Sequence, residues 1–417
     1  MKAGTIDFFD VVVIGGGPAG MMAAIFARAR GKRTLLLEKN KTLGKKLLIT
    51  GGGRCNITNN KSDVRSMLSQ YRKNDKFLFS AFTQFGVSET LDFFHTHGLE
   101  TKEENEGRIF PVSNTAESVW NVLTSHLRSC GVVIIENAPV SHIEKSTDVE
   151  YFTVTYGKGT CVSAKSVIVA SGGTSRPETG SAGDGYAWMR HFGHTVPENN
   201  FALVPIALSD SWVPSLSGVT LPEVKMTLFQ NGVRQGSDKG KLLFTHFGVS
   251  GPMVLNASRA IGELLQYGAV VLEIDLFPSK DHGEVRSMLQ KLFLDESNKK
   301  IKNTLPDLVP KALALPLLAL VGIDPDTPNH SVRSEDRKKL IHILKALPLQ
   351  VKGLLGKEKA VITAGGVAPE EVDFKTMQSR IVPGLFIVGD MLNIDRPSGG
   401  YSLQLCWTTG YVAGTHC

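Results

Sequence analysis

The sequence predicts an α/β fold: a Rossmann-like nucleotide-binding domain split between the two ends of the chain and interrupted by an insert. Three observations carry this. A β-branched run meets a GxGxxG turn within the first twenty residues. A second buried strand runs into Gly389-Asp390 near the far end. Between them, from about Phe201 to Gln350, the texture changes to short alternating runs and then to helical periodicity.

The first unit spans Asp10 to Glu38. DVVVI (Asp10–Ile14) has the continuous apolar character of a strand buried on both faces. Gly15-Gly-Gly17-Pro18-Ala19-Gly20 follows, then the helix-forming MMAAIFARAR and a second strand, TLLLE, which ends in an acid. Gly15 permits the tight turn, Gly17 lets backbone approach a pyrophosphate, and Gly20 with Ala24 lets helix pack on strand. The helix N-terminus turns unpaired N–H groups and a positive dipole end toward phosphates. Glu38 is placed to accept the two hydroxyls of an adenosine ribose and to repel a 2′-phosphate, so the tightly held ligand is not NADP. Strand, turn, helix, acid and spacing occur together, which lifts the motif above a bare glycine match.

The far end separates FAD from NAD. In SRIVPGLFIVGD, a turn at Val382-Pro-Gly feeds the strand Leu385–Val388, which ends in Gly389 and Asp390. A glycine there allows close approach, and the carboxylate suits a ribitol hydroxyl, which FAD has and NAD lacks. Gly399-Gly400 then precedes a final helix starting near Tyr401 and Ser402. Its N-terminal amides would face the electron-rich edge of a flavin. VIVASGG adds a third buried strand, ending in Ser171, Gly172 and Gly173. Before it, CGVVIIENAPVSHIE gives a strand whose Val140 backbone meets the adenine. Gly183-Asp184-Gly185 opens a helix that Asp184 is placed to cap.

LLITGGGRCNITN (Leu47–Asn59) follows the acid, where three successive glycines let backbone pass close to a cofactor. Lys39, Lys46, Thr50, Gly51, Gly52, Arg54, Cys55 and Asn56 join the cofactor-binding set, with Lys46 and Arg54 balancing phosphate charge. Cys55 has no second cysteine for a dithiol relay. It reads as a small packed residue or a lone thiol beside the cofactor.

The combination of VVVIGGGPAGMMAA…LLLEKN, KKLLITGGGRCNITN, LLFTHFGVSGP, VITAGGV and GLFIVGDMLNIDRPSGGYSLQ resembles the BaiN/RdsA-type (YhiN-like) NAD(P)/FAD-dependent oxidoreductases over essentially the whole chain. The resemblance implies a two-dinucleotide-binding (Rossmann-like) FAD domain interrupted by an insert with a β-barrel-like part and a helical part. Some relatives reduce a carbon–carbon double bond conjugated to a ketone. This chain departs from the pattern with Asp390 and Asn393, where Glu and Asp are commoner, and with Arg396, where glycine is usual. A relative's substrate is therefore not transferred.

The expected division is 1–195 and 366–417 for the FAD domain, 196–281 for a β-rich insert, 282–350 for a helical insert and 351–365 for a returning β segment. VPIALSD, VKMTLFQNGVRQG, KLLFTHF and AVVLEIDLF read as strands, with Asn231-Gly232 a strong hairpin turn. RKKLIHILKAL and its neighbours read as short helices separated by prolines. In THFGVSG, His246 is a proton donor to substrate or a hydrogen-bonded structural residue, and Tyr401 stands in the same position beside the flavin. His95/His97 and His191/His194 lack carboxylate or cysteine company in the sequence, so no metal site is expected.

Composition reads as that of a soluble globular protein. Of 417 residues, 42% are hydrophobic and 21% charged, and 42 glycines suit many tight turns. Net charge is 46 − 40 = +6, which favours anionic ligands, but no concentrated basic stripe with aromatics marks nucleic-acid binding. The five cysteines are scattered, with neither zinc nor dithiol spacing, as in a reducing cytoplasm. MKAGTIDFFD lacks signal-peptide character, and the apolar ALALPLLALVGI is short and broken by Pro316, so no membrane span is expected.

The function expected is NAD(P)H-driven reduction of an activated, enone-type double bond by hydride from flavin N5, with FAD tightly bound and NAD(P)H a transient donor. A small-molecule substrate is expected, and the oligomeric state is left open. Two rivals stand beside it: a flavin-dependent RNA-modifying enzyme, and a non-enzymatic flavin-binding redox sensor.

Overall fold

The computed structural model describes residues 7–61, 63–146, 150–197, 200–202, 204–355 and 362–417. The chain divides into two compact units, Met1–Phe201 with Ala360–Cys417, and Ala202–Lys359.

In the first unit β1 (Asp7–Ile14), α1 (Pro18–Ala29) and β2 (Thr34–Leu37) form the expected βαβ. Val11–Ile14 and all of β2 are buried, which is why both runs are apolar without alternation. A small sheet, β3 (Thr58–Asn59), β4 (Thr101–Glu104) and β5 (Arg108–Pro111), has β5 in the middle. Between β3 and β4 lie α2 (Val64–Leu68), α3 (Asp75–Gln84) and α4 (Val87–Thr96). α5 (Ala116–Ser129) leads to β6 (Val133–Ile135), then β7 (Val140–Lys145), β8 (Phe152–Tyr156), β9 (Thr160–Val169), α6 (Asp184–His191) and β10 (Asn200–Ala202).

The returning chain carries β17 (Ile362–Ala364), which pairs with β10, then β18 (Val372–Asp373), β19 (Gln378–Ser379), β20 (Leu385–Ile387) and α12 (Tyr401–His416). The main sheet runs β18-β19-β20-β9-β1-β2-β6. Its centre is parallel: Val13 lies opposite Leu36 on one side and Ile168 on the other, and Phe386 lies opposite Ile168. Strands from residues 13, 168 and 386 thus end side by side, so the loops at their carboxyl ends converge. Of the expected returning segment 351–365, residues 356–361 lie outside the described residues.

α12 is buried along most of its length. Its Gly410 and Gly414 lie against α1: a Cβ at either would stand 2.4 Å from a carbonyl, of Ala19 and Ala23 respectively. Only glycine permits this approach of the two helices.

The second unit is a closed antiparallel barrel, β11 (Ile206–Leu208), β14 (Gly248–Ser250), β13 (Val233–Thr245), β12 (Thr220–Gln230), β15 (Val270–Asp275) and β16 (Leu347–Leu354), in that order around the ring. Gln230 pairs Val233 across Asn231-Gly232, both with positive φ, as the hairpin signal requires. α7 (Pro252–Leu265) belongs to this part, and β16 crosses the expected boundary at 350. The helices are α8 (His282–Asp295), α9 (Ile301–Thr304), α10 (Lys311–Val321) and α11 (Ser334–Lys345), sharing one apolar core with the barrel. Pro316 does not break α10, contrary to expectation. The helix continues through it to a left-handed stop at Gly322 (φ 74°), with Leu313, Leu317 and Leu318 buried on either side. That burial outweighs the single hydrogen bond the proline removes. Among the described residues no helix is long and apolar enough to cross a membrane.

Candidate functional site

The Gly15–Gly20 turn is held by sterics. Gly15 has φ 105°, and a Cβ on it would lie 2.6 Å from the Ala170 carbonyl; one on Gly20 would lie 1.9 Å from the Gly15 carbonyl. Gly17 differs: it caps α1 in an extended conformation, with Pro18 and Ala19 beginning the helix, and a Cβ on it would meet nothing within 4 Å. Glu38 is buried at the end of β2. One carboxylate oxygen accepts from Gly16 N at 2.8 Å, and the other accepts from Asn40 N at 2.8 Å and Asn40 Nδ2 at 2.7 Å. Lys39 pairs with Asp184 at 2.6 Å. Asp184 is therefore not a cap: Gly183 (φ 85°) caps α6, and Asp184 is its first residue. Val140 is half-buried at the start of β7.

The Leu47–Gly53 turn is a second glycine loop of different character. Gly51, Gly52 and Gly53 take φ of 56°, 68° and 83°, and Cys55 takes 60°. Thr50 holds the turn, its hydroxyl donating to Leu47 O at 2.6 Å while its carbonyl accepts from Cys55 N at 3.0 Å. Arg54, expected beside phosphate, is committed within the protein: it pairs with Glu104, donates to Asn114 Oδ1 at 2.6 Å, and lies 4.3 Å over the Phe110 ring. Its charge is thus balanced from β4. Cys55 is fully buried, and burial pushes its thiol up to about 12, so it carries no thiolate near neutrality. The Asn56 amide, oriented as its neighbours require, donates to Thr58 O at 2.9 Å and accepts from Gly400 N at 2.9 Å. A groove of about 460 Å³ flanks this loop, lined by Thr42, Leu48, Gly53, Thr115, Glu117 and Trp120.

The far end of the chain arrives at the first turn of α1. Gly389 (φ 62°) donates its N–H to Thr409 Oγ1 at 3.0 Å, and a Cβ on it would lie 2.9 Å from the Ala19 Cβ. Asp390 follows, paired with Arg396 and lying 3.8 Å from Lys46 Nζ. Burial opposes the Asp390 charge, but Arg396 and Lys46 outweigh it and hold the carboxyl below its ordinary value. Ser171 donates to Met391 Sδ at 3.1 Å, Gly172 has φ 76°, and Gly173 is buried beyond it. Gly399 and Gly400 (φ 118° and 100°) turn the chain into α12; a Cβ on Gly400 would lie 2.4 Å from the Thr58 carbonyl. Tyr401 opens α12, buried, with Tyr71 donating to its carbonyl at 2.8 Å. Burial, with Glu106 nearby, raises the Tyr401 phenol above its ordinary value. Ser402 accepts from Arg396 Nε at 3.0 Å.

Sequence reading missed the polar core behind this turn. Gln404 Oε1 accepts from Thr58 at 2.6 Å, while Nε2 donates to Gly86 O at 3.0 Å, Thr90 at 2.8 Å and Thr408 at 3.1 Å. Trp407 Nε1 donates to Ile57 O at 3.0 Å. These bonds pin the stretch after the GGG loop to α12. His194 does have carboxylate company, delivered from far along the chain: Nδ1 faces Glu371 at 3.0 Å and Nε2 faces Ser379 Oγ at 2.9 Å. Ser379 Oγ also accepts from Ile381 N and Val382 N, which marks a turn brace. His246, in the second unit, is exposed between β13 and β14 with its ring against Phe247 at 4.8 Å.

The model for the HI0933-like protein Rossmann domain matches residues 9–416. The 3-dehydro-bile acid delta(4,6)-reductase of Clostridium scindens is 33% identical over 96% of this chain and 97% of its own. The ribosomal RNA dihydrouridine synthase of Escherichia coli is 32% identical over 98% of this chain and 97% of its own. Among solved structures, the 3-ketosteroid-delta4-(5alpha)-dehydrogenase of Rhodococcus jostii RHA1 superposes with a TM-score of 0.54 at 15% identity, covering 100% of this chain and 98% of that one, a likeness of fold.

Proposed function

The chain belongs to the HI0933-like Rossmann-domain family, and from that premise we propose that it is an FAD-dependent oxidoreductase that reduces a carbon–carbon double bond conjugated to a carbonyl, with NAD(P)H as electron donor. One observation carries the reading: the two ends of the chain meet, Gly389 against Ala19 at the first turn of α1. A nucleotide alone needs only the first βαβ. Here a second glycine, a carboxylate, two cations and the start of α12 are added to it.

These residues fit FAD. Gly17 presents bare backbone to open space at the N-terminus of α1, where a pyrophosphate is favoured. Glu38 takes the ribose, Lys46 balances phosphate charge and Asp390 takes ribitol hydroxyls. Gly399, Gly400 and the first amides of α12 receive the flavin. FAD bound there supplies a two-electron carrier between nicotinamide and the double bond. Tyr401 is protonated at neutral pH as phenols are, burial raising its pKa further, and it serves as proton donor on this side. His246 is the donor candidate in the second unit. The protein works in the cytoplasm on a small molecule, a placement supported by five free cysteines.

A second reading rests on the relative from Escherichia coli: the same chemistry applied to the C5=C6 bond of uridine in RNA. One experiment separates them. NADH, then NADPH, is added anaerobically to the flavin-loaded protein, and the reduced protein is mixed with a 3-oxo-Δ4,6 steroid acid or with unmodified ribosomal RNA. Bleaching followed by reoxidation with the steroid supports the first reading. Reoxidation by RNA alone moves the proposal to the second, and bands that neither nicotinamide bleaches remove NAD(P)H as donor.

A further inference from the structure

Arg396 is 2% exposed and holds three anchors at once: Nε donates to Ser402 Oγ at 3.0 Å, Nη1 to Ile394 O at 2.7 Å, and Nη2 to Asp390 Oδ1. Its charge is permanent, because a guanidinium does not deprotonate in a protein. Lys46 Nζ lies on the other Asp390 oxygen at 3.8 Å and donates to Ser175 Oγ at 2.9 Å. One carboxylate therefore faces two cations. Two further ionisable groups beside Asp390 add no negative charge. The Cys406 thiol is pushed up to about 12 by burial and stays neutral, as does Tyr186, whose hydroxyl donates to Asp390 O at 3.3 Å. Glu178 is exposed and paired with Arg176 at 3.6 Å.

We infer that Arg396 is a positioning residue for the cofactor: its fork fixes the Asp390 carboxylate between β20 and the first turn of α12, and its permanent charge favours the reduced and more negative state of a bound flavin. The inference rests on the FAD reading above. A net charge removed from water is costly unless an anion completes it. Removal from water draws the Lys46 ammonium below its ordinary pKa despite Asp390, whereas the Arg396 charge persists. Lysine at position 396 would supply a charge but not three fixed directions.

The test uses the full chain loaded with FAD, comparing wild type, Arg396→Met and Arg396→Lys by equilibration with a reference dye. At the poise where wild type is half reduced, Arg396→Met is expected to shift the oxidised-to-reduced ratio about tenfold toward oxidised, about 30 mV for a two-electron couple. Arg396→Lys is expected to stay within about twofold of wild type while releasing FAD faster on dilution. A Met variant that holds FAD at the wild-type ratio overturns the inference. Should the Met variant not fold, a tenfold shift in the Lys variant overturns it equally, since that variant keeps the charge. Wild type that takes up no FAD overturns the underlying reading instead.

Discussion

The two glycine loops of the first unit use the same residue for opposite reasons. At Gly15 and Gly20 the protein itself occupies the space a side chain would need, with a carbonyl 1.9 Å from the place of a Gly20 Cβ; Gly17 between them faces open space. At Gly51–Gly53 the backbone is left-handed, yet a Cβ on Gly52 or Gly53 would meet nothing within 4 Å. Gly15 and Gly20 of the first loop are glycine because of packing. The second loop is glycine because of its conformation, with open space before it. Substitutions should therefore part these positions: those at Gly15 and Gly20 damage the fold, and those at Gly17, Gly52 and Gly53, which face open space, damage ligand uptake.

The largest expected effect is at Gly20. Gly20→Ala should cost about 3 kcal/mol or more by overpacking and abolish flavin uptake, read as a fall in thermal midpoint. A midpoint near wild type would mean the close approach is relaxed in solution. Next is Gln404→Leu, which keeps the volume but strips partners from buried Thr58 and Thr90. It should cost about 1–3 kcal/mol, measured by urea unfolding. Because this network anchors the second loop to α12, flavin affinity should fall with it. Gly52→Ala comes third, at about 1–2 kcal/mol for a left-handed alanine. Titration with FAD should show a loss of affinity larger than that stability change predicts; equal losses would erase the contrast between the loops.

The smallest effect concerns Cys55. Its thiol pKa is raised from 9.0 to about 12, so the stability it lends is fully present below pH 9 and lost as pH rises from there. Alkylation of the native protein at pH 8 should leave Cys55 unlabelled, with labelling appearing only after unfolding. Labelling of the native state would favour the other sequence reading, a lone thiol beside the cofactor, over a packed residue.

The first loop was legible because glycine spacing, an apolar strand and a terminal acid are read together within one βαβ unit, although the Ala170 carbonyl packed on Gly15 comes from outside it. The hairpin at Asn231-Gly232 was legible for the same reason. Arg54 was not: its cationic character suggested phosphate, but Glu104 and Phe110 reach it from strands whose pairing no local pattern specifies. Gln404, Thr408 and Thr409 look like a polar stripe on α12, yet all are buried. His194 and Glu371 are 177 residues apart in sequence. Arg396 lies six residues from Asp390, but its direction depends on the turn between them, which sequence does not supply.

The most direct test of the central claim, that both ends of the chain build one FAD site, is the cofactor content of the purified full-length protein. Spectrum and extracted cofactor are compared for wild type and for Gly17→Val, which places a branched side chain in the open space at the start of α1. One FAD per wild-type chain is expected, and a Gly17→Val protein that folds with an unchanged thermal midpoint before loading but retains no FAD. A wild-type protein that binds no flavin even when FAD is supplied, or a valine variant that retains it fully, would mean that the two ends of the chain do not build an FAD site.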